Sequence, residues 1–307
     1  TRGHRPSRFI GEALGRRPAA RSVRLAAYDE LQRFAVAPTE VDSPLPRLGA
    51  DNVLTLSYTE IDDYRRCPLR YRFAHVLNIP VLDTPPMVYG KALHRAVAHF
   101  LRRKQEGHDL GLSELEATFR SSWVGGGFIS PEHESERFEA GLVALRRFFE
   151  DEQGRPAPEL VEQRFSFMLG NDRVVGQWDR VDKTADGVEV ADYKSSVLDG
   201  QEDTPQRRAA KNMQLPVYAL AYQKTFGELP AKTALVFLET GQRGEVKPTP
   251  DAMGAIAAVI TSTAGKIRAR QFPAEPERPE ARTCIQCPYN AICTESWSAR
   301  QVRGVVA

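Results

Sequence analysis

Between Val161 and Ser195 the chain carries three strand-like stretches in succession, and the two turns joining them restrict which side chains can meet. The first stretch, Val161 to Leu169, places Val161, Phe165, Phe167 and Leu169 at even spacing and runs into Gly170-Asn171. The second, Arg173 to Lys183, is followed by Thr184-Ala185-Asp186-Gly187, and the third, Val188 to Ser195, comes directly after. Asp-Gly between two such runs is a strong hairpin signal, so the segment reads as an antiparallel meander.

Turn chemistry then sets the register. A two-residue loop at Asp186-Gly187 places Asp179 opposite Lys194, with Asp192 one diagonal step away on the same face. A two-residue loop at Gly170-Asn171 sets Glu162 opposite Asp179. Acids at strand ends are ordinarily solvated, and a bulge in either turn would reverse the parity. If the register holds, the carboxylates offer hard oxygen ligands to Mg²⁺ or Mn²⁺, and Lys194 can meet an attacking water or the phosphate charge. That is the equipment of a metal-dependent phosphodiesterase.

The stretch Pro85 to Arg103 predicts a helix that buries Leu93, Val97, Phe100 and Leu101, with His94 at the edge of the stripe. His99, five residues on, falls off the His94 face, which argues against a two-histidine zinc helix. Residues 206 to 226 predict another helix, on which Gln214, Tyr218 and Tyr222 share one stripe. Ser57-Tyr58-Thr59-Glu60 is a capping box opening a helix that carries Ile61, Tyr64 and Cys67 before Pro68 interrupts it. Further helices are expected at 86 to 106, 113 to 123, 135 to 152 and 251 to 269, and a further strand at Ala234 to Glu239. Helices, meander, helix and strand in that order predict an α/β fold with a central mixed sheet.

Cysteine usage is sparse and pointed: Cys67, then Cys284, Cys287 and Cys293 near the end. Four thiols with none spare predict a Cys₄ site, which suits tetrahedral zinc or a [4Fe-4S] cluster. A single Cys-x₂-Cys knuckle with one distant partner favours iron and sulfur over zinc. Two disulfides are disfavoured, since no secretory signal or long apolar run points to export or to a membrane.

With 307 residues, 41% of them hydrophobic, the chain can bury one sizeable core plus an extension. Its net charge of +2 gives no global field, so nucleic acid would be met by local basic patches. Candidates are Arg65, Arg66, Arg70 and Arg72, and the run Arg207, Arg208, Lys211. No Gly-x₄-Gly-Lys-[Ser/Thr] loop is present, so an ATPase site within this chain is excluded. Residues 1 to 52 read as a basic extension and Pro-rich linker, and residues 53 to 300 as the folded domain.

Taken in order, these motifs resemble the RecB-type nucleases of the PD-(D/E)xK superfamily in their iron-sulfur-stapled form, over residues 54 to 297. The carriers are Gly90-Lys91-Ala92-Leu93-His94, Glu162, Gly176-Gln177-Trp178-Asp179-Arg180-Val181-Asp182, Asp192-Tyr193-Lys194 and Gln214-Leu215-Pro216-Val217-Tyr218. Cys67 with Cys284, Cys287 and Cys293 resembles the cluster of AddB-like nucleases. The resemblance implies a restriction-endonuclease-like core. It also implies a metal held by His94, Asp179, Asp192 and the Tyr193 carbonyl, with Lys194 catalytic, Glu162 an auxiliary acid, and Gln214 and Tyr218 bordering the DNA path. Implied with these are a Mg²⁺- or Mn²⁺-dependent exonuclease acting on single-stranded or unwound DNA in repair and recombination, and a cytoplasmic, nucleoid-associated place. His4 to Ile10 resembles the closing segment of UvrD-like superfamily 1 helicases, so the chain is expected to be the carboxy-terminal part of a helicase-nuclease. The competing expectation is a catalytically silent module that binds DNA ends or docks a partner.

Overall fold

The computed structural model describes Gly15, residues 48–196, 198, 203–274 and 282–296. By internal contacts the chain separates into Thr1–Ser43 and Pro44–Ala307. The expected basic extension, Pro-rich linker and helicase-like segment fall almost wholly on residues outside the described set.

The second unit is built on a mixed sheet of six strands among the described residues: β1 (Leu54–Ser57), β2 (Leu160–Leu169), β3 (Asp172–Thr184), β4 (Gly187–Lys194), β5 (Lys232–Phe237) and β6 (Arg243–Val246). Their order is β1-β3-β4-β5-β6, and β2 also pairs with β3. The β1–β3 and β4–β5 pairs are parallel and the others antiparallel. This is the mixed α/β architecture expected. Strands β1 and β6 were not anticipated, because four residues are too few to show a periodicity.

Helices cover both faces. One face packs α1 (Tyr58–Arg66), α7 (Gln214–Phe226) and α8 (Pro250–Arg268) against Phe165, Val174, Trp178, Val181 and Val190. The other packs α3 (Pro85–Gln105), α4 (Leu112–Ser122) and α5 (Pro131–Glu152) against Val161 and Tyr193. The remaining helices are α2 (Pro68–Tyr71), α6 (Pro205–Lys211) and α9 (Arg282–Ile285), with a π turn at Arg72–Val76.

The capping box forms as read: Glu60 N–H donates to Ser57 Oγ at 3.3 Å, and the Glu60 carboxylate accepts from Ser57 N–H at 2.7 Å. Cys67, expected on this helix, instead lies just beyond it in extended conformation, because Pro68 restarts the helix at its first position. The helix expected over 206 to 226 is two, broken at Asn212-Met213, where Asn212 Oδ1 accepts the Leu215 N–H at 2.9 Å.

The β2–β3 register matches expectation, with Leu169 opposite Asp172 and Gln163 opposite Trp178. The β3–β4 register differs by two residues. Thr184 pairs with Gly187, so the loop is Ala185-Asp186, and Gly187 at φ 116° is already in the ladder. The same-face sets survive a shift of two, but Asp179 now points toward Asp192 rather than Lys194.

Strands β1 and β4 share one side of β3: β1 pairs with Asp172 to Val175, and β4 with Arg180 to Thr184. Between them, Gly176 to Asp179 has no neighbour on that side. Strand β4 leaves β3 after Ala191 yet stays on β5 through Lys194, so the sheet forks where the C-terminal ends of β1 and β4 approach head-on.

The inside-outside alternation also slips at this fork. Trp178 and Val181, three apart, both enter one core, while Arg180 reaches Glu152 and Tyr193 on the other face. On β2, Phe165 and Val161, four apart, likewise fall in different cores. The slip falls at Glu162 and Asp179, and Glu162 has φ 49°, a left-handed value costing a non-glycine residue of order 1 kcal/mol.

Candidate active site

The fork opens into a cleft of about 520 Å³, walled by α3, the start of α1 and α7, with β2 and β3 as its floor. Gly176 forms part of that floor because the Phe165 ring lies over it: a Cβ there would stand 2.3 Å from Phe165 Cζ. His94 reaches in from α3, with Nδ1 3.7 Å from Asp179 Oδ2. His94, Glu162 and Asp179 each offer a ligand atom within 4.8 Å of the others.

Asp192 sits deeper and outside that trio. Lys194 Nζ lies 2.7 Å from its Oδ2, yet that buried oxygen accepts no aligned hydrogen bond. Lys194 donates to Gln214 Oε1 at 2.9 Å, and Gln214 Nε2 donates to the Tyr218 hydroxyl at 2.8 Å, so α7 orients the lysine. The Tyr193 N–H donates to Asp179 Oδ2 at 2.9 Å. Glu162 accepts from Gln177 across the hairpin.

Electrostatics sharpen the picture. Burial lifts the Asp179 carboxyl well above the carboxylate range, and Asp192 and Glu162 push it further, against the Tyr193 N–H and Lys194. Burial lifts Glu162 as well, opposed by Arg102 and by Gln177. Burial lowers His94, which favours the neutral imidazole that ligates metals. Crowded carboxylates and a neutral imidazole are a donor set that a divalent cation would satisfy.

Three cleft residues lay beyond sequence reasoning. His99 lines the same cleft as His94, because the cleft is wider than one helical stripe. Arg95 and Arg102 line it too, at helical spacing from Lys91 that was visible in the sequence but had no site to point at.

At the far end of α1, Cys67, Cys284, Cys287 and Cys293 line one pocket, with Leu69 and Phe73 in its wall, and all four are free thiols. Burial pushes the Cys287 and Cys293 thiols up, and the charges of the other cysteines add to this. A pocket between α1 and α6 gathers Arg65, Arg66, Arg207, Arg208 and Lys211, while Arg70 pairs instead with Asp63 at 2.9 Å.

Residues 55–294 match the profile of the PD-(D/E)XK nuclease superfamily, and the chain belongs to that superfamily. It is 25% identical over 289 residues to the Gene 69 protein of Mycobacterium phage L5, an alignment covering 77% of this chain and 95% of that protein. The Gene 69 protein of Mycobacterium phage D29 is 25% identical over 221 residues, covering 63% of this chain and 78% of that one. A solved structure of a candidate exonuclease from Eubacterium rectale aligns with a TM-score of 0.47 at 14% identity, over 89% of this chain and all of that one. Among the described residues no helix is long and apolar enough to cross a membrane.

Proposed function

We propose that this protein is a Mg²⁺- or Mn²⁺-dependent deoxyribonuclease that hydrolyses DNA phosphodiesters, with the cleft at the sheet fork as its active site. The observation that carries the reading is the meeting of His94, Glu162 and Asp179 beside the Asp192–Lys194 pair. His94, Asp179, Asp192 and the Tyr193 carbonyl hold the cation, and Glu162 supports from across the hairpin. A cation held there would supply Lewis acidity for the attack of water on the phosphorus. Lys194, held by Gln214, orients the attacking water and offsets charge as the phosphorus–oxygen bond to the leaving sugar breaks. Tyr218 fixes Gln214 in turn. Substrate phosphates beyond the cut are met by the pocket holding Arg65, Arg207 and Lys211.

The finer reading is an exonuclease on single-stranded or unwound DNA ends, working with a helicase in cytoplasmic repair and recombination. The cysteine pocket completes it as a [4Fe-4S] staple. What supports a cluster over zinc is the single Cys-x₂-Cys knuckle, Cys284 and Cys287, with Cys67 as a lone distant partner. The silent-module reading is disfavoured because every acid of the motif is present.

The test is digestion of end-labelled single-stranded DNA with Mg²⁺ or Mn²⁺, with and without chelator, for the wild type, Asp192→Asn and Lys194→Met. Both variants should lose cleavage by at least about a hundredfold while binding DNA at near wild-type affinity. Cleavage near the wild-type rate by either would remove that residue from the chemistry. A wild type that binds without cutting would establish the silent module.

A further inference from the structure

The cleft wall formed by α3 carries a charge pattern that the metal centre does not use. Lys91, Arg95, His99 and Arg102 are exposed and line the cleft on the same helix as His94. From Lys91 to Arg102 the helix rises about 16 Å, so the row extends well beyond the carboxylates. Ala98, between Arg95 and Arg102 on the helix face, is small and buried and leaves the groove open.

A solvated basic helix face is the alternative, and pairing separates the two. Arg103 and Lys104, absent from the cleft wall, are both paired: Arg103 with Glu106 at 2.5 Å and Lys104 with Glu152 at 3.1 Å. Lys91, at the near end, is paired with Asp83 at 2.7 Å. Arg95, His99 and Arg102, the members that line the cleft from His94 onward, make no side-chain hydrogen bond or ion pair among the described residues. The unpaired donors are thus concentrated where a polyanion would lie.

We propose that Arg95, His99 and Arg102 form a phosphate track for a single nucleic-acid strand, running from the carboxylate cluster along β2. The inference rests on the nuclease reading for the identity of the anion. Tyr58 borders both this cleft and the pocket of Arg65 and Arg207, so basic groups flank the carboxylates on two sides and the strand crosses them. A single strand fits better than a duplex because the target is recessed: the Asp179 and Asp192 side chains are 12% and 3% exposed. A phosphate must leave its partner strand to reach them.

The experiment measures binding of the full chain to a fluorescent oligothymidylate, in chelator so that no cleavage occurs, over a series of salt concentrations. Each phosphate contact on a single strand contributes about 0.7 to the slope of log affinity against log salt. Arg95→Gln/Arg102→Gln should flatten the slope by about 1.4, while Lys224→Gln, outside the cleft, should leave it unchanged. Circular dichroism checks that the folds match, which the exposure of both arginines favours. An unaltered slope and affinity in a folded double variant would overturn the track. A larger change on duplex than on single-stranded DNA would overturn the single-strand assignment. If the slope falls as expected while the wild type with Mg²⁺ cuts nothing, the nuclease reading fails and the track stands.

Discussion

Replacing Arg180 with methionine should unsettle both the fold and the site. Its guanidinium is 4% exposed and contacts Glu152, 1% exposed, on α5; it also holds Asp182 at 2.6 Å and donates to the Tyr193 hydroxyl at 3.2 Å. Removing one partner of a buried ion pair costs about 3–5 kcal/mol, because the other charge stays buried. Lys104 and Arg155, each 3.1 Å from Glu152, remain and place the expected loss near the lower end. For a domain of this size about 3 kcal/mol corresponds to roughly 6–12 °C in Tm at pH 7. The dependence on pH gives a second signature. Burial raises the Glu152 carboxyl, but Arg180 and Lys104 outweigh it and hold the group below its ordinary value. A depressed carboxyl contributes stability that is present above the unfolded-state value and lost as pH falls through the folded-state value. Without Arg180 burial is opposed less, the carboxyl rises, and protonation becomes a relief. The Tm gap between wild type and variant should therefore narrow from pH 7 to pH 5, and adding Glu152→Gln should restore part of the loss at pH 7. Scanning calorimetry reads all three, and a gap under about 2 °C at pH 7, or one that does not narrow, would refute the reasoning.

Gly176→Ala would press a methyl into the Phe165 ring, so the urea midpoint should fall by the equivalent of about 1–3 kcal/mol, and Phe165→Leu should recover part of it. Because burial raises Asp179, its share of stability is fully present below the unfolded carboxylate range and is lost as pH rises through the folded value; saturating Mg²⁺ should suppress that loss in thermal melts, and Asp179→Asn should abolish the Mg²⁺ effect. Cys67→Ala should open a loop running from Cys67 to Cys284, worth on the order of 5 kcal/mol in the chain-entropy picture, and so lower Tm and bleach the visible absorption of anaerobically purified protein. A colourless wild type with one equivalent of zinc would replace the cluster but leave the nuclease reading in place.

The sequence was legible where local chemistry decides the geometry. Gly170, at φ 60°, does what its turn demands, and so Glu162 falls level with Asp179 as expected. The second hairpin departs by two residues from the Asp-Gly expectation because Gly187 already pairs with Thr184, which leaves Ala185-Asp186 as the loop. Nothing near Glu162 announces a left-handed backbone. A glutamate in a strand of alternating residues gives no such sign, and the conformation persists because β3 and the aromatic cluster around Phe165 and Trp178 constrain both sides of it.

That hidden irregularity bears directly on the proposed chemistry. Had β3 alternated without a slip, keeping Val181 in the core that holds Val190 would have turned Asp179 into that core and Trp178 out of it. The slip turns Val181 into that core and leaves Asp179 at the fork, beside Glu162 and within reach of a histidine from the helix layer on the opposite face. Strand β4 makes the complementary departure, leaving β3 after Ala191 while β5 still supports it, which brings Asp192 and Lys194 to the same opening. Linear order places the acids on neighbouring strands, but two departures from regular pairing bring them to one cleft. Residues that hold those departures, such as Gly176 and Arg180, should therefore weigh on activity nearly as heavily as the residues assigned to the metal.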